Sequence, residues 1–527
     1  MRQSKEQRNQ VLISPSSSHR PSELAGARRR AQQSTGVEGK FRLAAERTRV
    51  LVTEPQPKAD GDWWPAYCLG GATLCSMALV GEFAAVLPWM VTLGLLVWVG
   101  KRWDRATRQR GRLLRILVTA FVALSFIGML EVSDNLRNFG TIFGKALDDS
   151  SFFSETLSFL RDRAISDRFT IYHVVLAVWG FLPNLIFDES TIGLHFMFLN
   201  WALGAIVVGL CDNFCYVIIK RSVPLWLLMV TLIGNYKFAD ALIHIYRDGL
   251  MLLFLLLALT AALRASYVRS LVSAAPVSLL RGANFLLYSF VLAILIIFRR
   301  AGRRAVLYGG SMCIFGAAAW LVPTYGLQAF KYATSLTHAG YSEYTAGATV
   351  EDHISFRANM VAAQVAQDST LKSTLANDSI VSMSIRPIVF VLFPIRYWPL
   401  FMSGDSASTF ATSRHIDRGL TLFNIYVWFS ISCWVVVLPL LVIGLGKALC
   451  GPRKQNVISI YYLMGIFSVS FISFQMRHSV SFIIIHPLLA MLGCVTLRNS
   501  YRLTAMALCA LTVSCIVIYN ILSGSLL

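Results

Sequence analysis

Residues 195–259, HFMFLNWALGAIVVGLCDNFCYVIIKRSVPLWLLMVTLIGNYKFADALIHIYRDGLMLLFLLLAL, consist of long apolar runs separated by short polar breaks. A bilayer core is crossed by about 20 apolar residues, so these runs have the length of membrane helices. Residues 192–219 close on Lys220-Arg221, 223–243 run the other way, and Gly249 to Leu263 return toward Arg264 and Arg269. Short cytoplasmic loops concentrate Lys and Arg, which puts Lys220-Arg221 inside and the break Tyr246-Arg247-Asp248-Gly249 outside. Leu250 to Leu263 carry no charge at all.

The rest of the chain agrees with a polytopic membrane protein. Of its 527 residues, 55% are hydrophobic and 14% charged, and the mean hydropathy is +0.58. A soluble domain carries about 25% charged residues, which excludes a single soluble core as well as a disordered scaffold. The net charge is 48 − 28 = +20, and its location decides its meaning. Residues 1–62 hold 12 Lys/Arg against 7 Asp/Glu, and Lys101–Arg115 hold seven basic residues and one acid. Such clusters beside apolar segments mark cytoplasmic loops and suit anionic lipid headgroups; with no nucleic-acid motif around them, no nucleic-acid partner is expected. The ten cysteines lie in or beside apolar segments, as buried thiols do. Cys211 and Cys215 share a helix face without further ligands at zinc spacing, so no metal site is expected.

Four regions follow in order. Residues 1–62, Ser-, Gln- and Arg-rich without an apolar signal core, read as a disordered basic cytoplasmic tail. Residues 63–325 form an N-terminal transmembrane region. Within it, 66–100 are interrupted at Gly81-Glu82 and suit two short passes, and Ile116 to Leu130 lead out. The outer loop 132–169 balances five basic residues against six acidic ones, and its 151–160 spacing predicts an amphipathic surface helix. Residues 170–187 read as a re-entrant or interfacial helix. Residues 270–298 read as a short hairpin or a surface helix plus a buried one, and 305–325 exit. The loop 326–420, with seven basic and seven acidic residues, is placed outside, and its segment Pro387–Met402 rests at the interface. Residues 421–527 supply the last spans, near 421–446, 457–475, 480–496 and 504–524. The expected fold is an all-α polytopic bundle of about 11–13 transmembrane helices, with outer-face interfacial helices and a cytoplasmic N-terminus. No repeat of a transporter's two halves is evident.

Ionisable residues beside the hydrocarbon are functional hypotheses by default. Glu131 and Asp134 sit where the third span emerges, Arg247 and Asp248 open the span after the outer break, and Arg477-His478 form a short outer turn. Glu351, Asp352 and His353 cluster in the large loop. Each has a plainer reading: an interface ion pair for Arg247 and Asp248, a helix cap for Asp134, snorkelling for Arg477-His478, a solvated helix start for the loop cluster. Lys237 and Asp240, one turn apart, could neutralise each other, and His486 before Pro487 suits a backbone hydrogen bond. No phosphate-binding Gly-rich loop, nucleophile elbow or HExxH helix is present, which disfavours an ATP-driven pump.

The order of these features resembles the GT-C class of membrane glycosyltransferases, in particular its bacterial exopolysaccharide members. The resemblance rests on residues 195–259, on RPIVFVLFPIRYWPLFM (386–402) and on MRHSVSFIIIHPLLAMLGC (476–494), within roughly 114–497. It implies a GT-C-like fold in the bacterial inner membrane. It also implies an enzyme that moves sugar from a polyprenyl-phosphate-type lipid to a saccharide or lipid-linked acceptor at the outer face, within a polysaccharide-assembly complex. On that resemblance Asp134, or Glu131, would be the general base, with Asp248 the second outer acid. Arg247 and Arg477 would hold the donor phosphate, with His478 assisting the leaving phosphate and Lys237 among the substrate-binding residues. No cofactor is implied, the lipid-linked sugar being substrate, and a divalent cation is left open. The competing readings are an oligosaccharide repeat-unit polymerase, a lipid-linked saccharide transporter and a membrane scaffold.

Overall fold

A computed structural model describes residues 63–107, 111–143, 147–163, 165, 170–299, 422–472 and 479–500. The expectations for the tail 1–62, the span 305–325, the loop 326–420 and the span 504–524 lie outside these residues, as do those for Arg477, His478, Glu351, Asp352 and His353. Among the described residues every regular element is a helix. In chain order these are α1 (Trp64–Val80), α2 (Val86–Thr107), α3 (Arg112–Phe139), α4 (Leu147–Asp162), α5 (Ile171–Gly180), α6 (Glu189–Ile219), α7 (Leu225–Leu228), α8 (Tyr236–Ile243) and α9 (Asp248–Leu263). They continue as α10 (Tyr267–Leu280), α11 (Gly282–Arg299), α12 (Leu422–Leu449), α13 (Arg453–Ile472), α14 (Val480–Ile483) and α15 (His486–Ser500).

Among the described residues five stretches are long and apolar enough to cross a membrane: Phe83–Thr107, Arg112–Phe139, Glu189–Ile219, Ile425–Leu449 and Val480–Leu497. A sixth results if Leu225–Ile233 and Tyr236–Ile243 count as one bent span. The fold is thus all-helical, and its long apolar helices are those of a multi-pass membrane protein. The expected break at Gly81-Glu82 is present, with Gly81 in the left-handed region at φ 85°. Residues 147–162 form the helix expected in the outer loop. Within 170–187 the α-helix is only ten residues, Ile171–Gly180, about 15 Å long at about 1.5 Å per residue, too short to cross. Residues 267–299 form two helices meeting at Arg281, as both expected arrangements require.

Polar contacts define the two ends of the bundle. At the basic end Arg112 grips Asp212 through two contacts of 3.0 Å. Asp212 also accepts the Val223 amide at 2.8 Å, and Arg112 donates to the Val223 carbonyl. Asp104 caps α3 by accepting the amides of Leu113 and Leu114 at 3.1 and 3.0 Å, satisfying donors that a helix start leaves open. Arg264, beyond α9, reaches Asn213 on α6 at 3.1 Å. The loop before α7 and the end of α9 therefore lie at the same end, and the chain between them reverses inside the bundle. From Arg112, Glu131 lies about 28 Å along α3, close to the thickness of a hydrocarbon core, about 30 Å.

The run expected to cross as one helix, 223–243, is broken. A π-helical turn, Met229–Ile233, follows α7, and α8 departs at 76° after Gly234-Asn235. Backbone groups freed at such a break must be satisfied by neighbours. The Tyr426 hydroxyl donates to the Ile233 carbonyl at 2.7 Å, the Tyr236 amide donates to Ser430 Oγ at 2.8 Å, and the Asn235 side chain caps Lys237 N at 3.1 Å. Two residues of α12 thus hold the break open. Helix α12 itself packs closely on α15: a Cβ at Gly444 would overlap the Leu489 carbonyl, and one at Gly493 the Leu440 carbonyl. Small residues at helix crossings permit this approach in membranes.

Candidate functional site

The turn between α8 and α9, residues 244–247, is the focus of polar side chains at the end opposite the basic clusters. A buried turn must find partners for its backbone carbonyls. Helix α6 provides them: the Asn200 amide donates to the carbonyls of His244 and Tyr246, the latter at 2.9 Å, and Trp201 Nε1 donates to Ile243 O at 3.1 Å. The Tyr172 hydroxyl on α5 fixes the Asn200 amide orientation by donating to its Oδ1 at 2.9 Å. The turn is anchored by α6, with α5 bracing Asn200, before its own side chains are considered.

His244, in that turn, faces three carboxylates from three helices. Nδ1 lies 2.5 Å from Asp149 Oδ2 on α4. Nε2 lies 3.3 Å from Glu131 Oε1 on α3 and 3.5 Å from Asp240 Oδ1 on α8. Asp149 accepts the Ile245 amide at 3.0 Å through its other oxygen, and Asp240 accepts the Tyr236 hydroxyl at 3.2 Å. Burial disfavours the imidazolium, yet Asp149 and Glu131 outweigh it and hold the His244 proton well above the usual histidine range. Asp149 is fully buried and Glu131 nearly so, whereas the Asp240 side chain is 26% exposed. The cluster is a buried group of one imidazole and three carboxylates, one of which reaches the surface.

The sequence-predicted residues surround this centre in different ways. Glu131 belongs to it. Asp134, one turn further along α3, is buried and accepts the Phe423 amide at 2.9 Å at the start of α12, so it does cap a helix, one far away in sequence. Asp248 begins α9 and meets Arg281 at 2.8 and 3.0 Å. Arg247 stands near His173, whose proton it disfavours; His173 Nε2 lies 3.3 Å from Glu155 on α4. Lys237 is buried on α8, within electrostatic reach of His486. His486 pairs with the Tyr462 hydroxyl at 3.0 Å, a side-chain partner where a backbone one was expected.

His244, Arg281, Asn200 and Tyr172 were not singled out from the sequence, and Asp149 was only one acid among six. No local spacing marks them, because the partners of His244 on α3 and α4 are distant in sequence, Asp149 by 95 residues. A usable signal was the helix stop itself: a histidine between two apolar runs, two residues before Tyr246-Arg247-Asp248. Comparison with known proteins finds no family model, curated protein or solved structure that matches this chain.

Proposed function

We propose that this protein is a membrane glycosyltransferase. In this reading it moves a sugar from a polyprenyl-phosphate-type lipid donor to a saccharide or lipid-linked acceptor at the outer membrane face, in cell-surface polysaccharide assembly. The observation that carries the reading is the Glu131, Asp149, Asp240 and His244 cluster at the end away from the basic clusters. Glycosyl transfer needs a carboxylate that accepts a proton as the acceptor oxygen bonds to the sugar. Glu131 takes that role. Asp134 holds the adjacent end of α12, and Asp248 fixes Arg281 at the same end as Arg247. Guanidinium groups suit phosphate oxygens, so Arg247 and Arg281 serve the donor phosphate, with Arg477, His478 and Lys237 as further donor contacts.

A transporter is the second reading. The broken α7–α8 segment with buried Lys237 favours it, since discontinuous helices line substrate sites in secondary transporters. Mass spectrometry of lipid-linked saccharides separates the readings, using cells that lack the protein and re-express wild type, Glu131→Gln or Asp134→Asn. A transferase predicts an intermediate one sugar short, cleared by wild type and cleared about 100-fold or more slowly by Glu131→Gln. Complete repeat units accumulating on the outer face would replace the proposal with a polymerase, and complete lipid-linked units held on the cytoplasmic face with a transporter. An unchanged profile would overturn all three.

A further inference from the structure

The carboxylates of this centre outnumber its cation. With all groups ionised, Glu131, Asp149 and Asp240 against His244 give a net charge of −2 around one ring. The two faces of the ring are not equivalent. Nδ1 is committed to Asp149, itself fixed by the Ile245 amide. Nε2 carries a single hydrogen and has two acceptors, Glu131 at 3.3 Å and Asp240 at 3.5 Å. One Nε2–H is thus shared between two carboxylates carried by different helices. Glu131 is buried and Asp240 reaches the surface.

We propose that His244 is the positioning residue of the acid–base centre, holding Glu131 and Asp240 on one protonated imidazole edge so that Glu131 takes the acceptor's proton and Asp240 passes it to water. This rests on the transferase reading. In the step, the acceptor O–H bond breaks and its proton moves to Glu131. The acceptor oxygen bonds to the sugar's anomeric carbon, and the bond from that carbon to the donor phosphate breaks with its electron pair leaving on phosphate. His244 then gives its Nε2 proton to Asp240 and Nε2 takes up the proton from Glu131, which restores the base. The ring is protonated before and after the transfer, with Asp149 securing Nδ1–H from behind. The titratable groups facing it are Glu131 on α3, Asp149 on α4, Asp240 on α8 and Tyr246 in its own turn.

Rate must then depend on the charge of His244 and not only on its shape. Asp149→Asn separates the two. Asn keeps an oxygen for the Ile245 amide and can donate to Nδ1, leaving Nε2–H on a neutral ring. The test uses full-length protein in detergent, with the lipid extract of cells lacking it as the substrate source, followed by mass spectrometry from pH 5.5 to 9. Wild type is expected to slow as pH rises through the raised His244 pKa. Asp149→Asn is expected to keep the low-pH rate and to move that limb down by about one pH unit or more. His244→Gln is expected to lose about 100-fold at low pH and to lack the limb. An Asp149→Asn rate lowered equally at every pH, as loss of fold would lower it, overturns the proposal. So does a profile identical to wild type for both variants, while leaving the transferase standing if Glu131→Gln remains slow. No conversion by wild type overturns the transferase reading itself.

Discussion

His244 and His173 both face carboxylates of α4, yet burial and charge resolve oppositely at the two rings. At His244, desolvation is outweighed by Asp149 and Glu131, and the pKa is raised. At His173, desolvation is the largest effect, Glu155 and the Thr170 backbone oppose it, Arg247 reinforces it, and the pKa falls below its ordinary value. The sign of each contribution to stability follows from proton binding in the two states. The unfolded value for both is about 6.5. His244 contributes stability that is complete below that pH and is lost as pH rises toward its folded pKa. His173 binds a proton less readily folded than unfolded, so its contribution is complete above that pH and is lost on acidification. Thermal unfolding of the solubilised protein between about pH 5.5 and 8 should therefore peak near the ordinary histidine pKa. His244→Gln should flatten the alkaline limb and His173→Gln the acid one. A midpoint independent of pH in wild type would contradict both assignments.

At the scale of elements, close packing and breakage are distributed differently from what apolar runs alone convey. The run 223–243 is largely apolar in composition, and Gly234-Asn235 is a weak point within it; what turns that weak point into a 76° bend is Tyr426 and Ser430 on α12, which supply the missing backbone partners. That 170–187 does not cross was readable because a full crossing would put Lys220-Arg221 outside. The packing of α12 on α15 was not readable, since several glycines in these helices look alike in sequence. Gly444 faces the Leu489 carbonyl, whereas Gly446, two residues on, is exposed, and a methyl group there would meet nothing within 4 Å. Gly444→Ala should destabilise the protein by about 1–3 kcal/mol, the range for overpacked sites. Gly446→Ala should be neutral or slightly stabilising, because alanine favours the helix by about 1 kcal/mol over glycine. Unfolding midpoints in detergent decide this, and equal effects at the two positions would remove the proposed close contact.

For the whole molecule, the sequence made the polarity of the bundle legible and left its centre hidden. Lys101–Arg115 and Lys220-Arg221 flag one end because charge next to apolar runs is a local property. The contacts of Arg112 with Asp212 and of Arg264 with Asn213 show these segments meeting there. The His244 cluster needs α3, α4 and α8 brought together, and no segment alone announces it. If the basic end is cytoplasmic, as charge placement predicts, then α4 and the basic loop before α7 must face opposite sides of the membrane. Ser154 on α4 and Ser222 in that loop are both exposed, and a cysteine at each reports its side. In a chain otherwise free of cysteine, a membrane-impermeant thiol reagent applied to intact cells should label Ser154→Cys and leave Ser222→Cys unlabelled until the membrane is opened. The reverse pattern would place the cluster on the cytoplasmic face and end the outer-face chemistry, though not the bundle. Labelling of both from outside would mean that α3 and α6 do not cross as their lengths require.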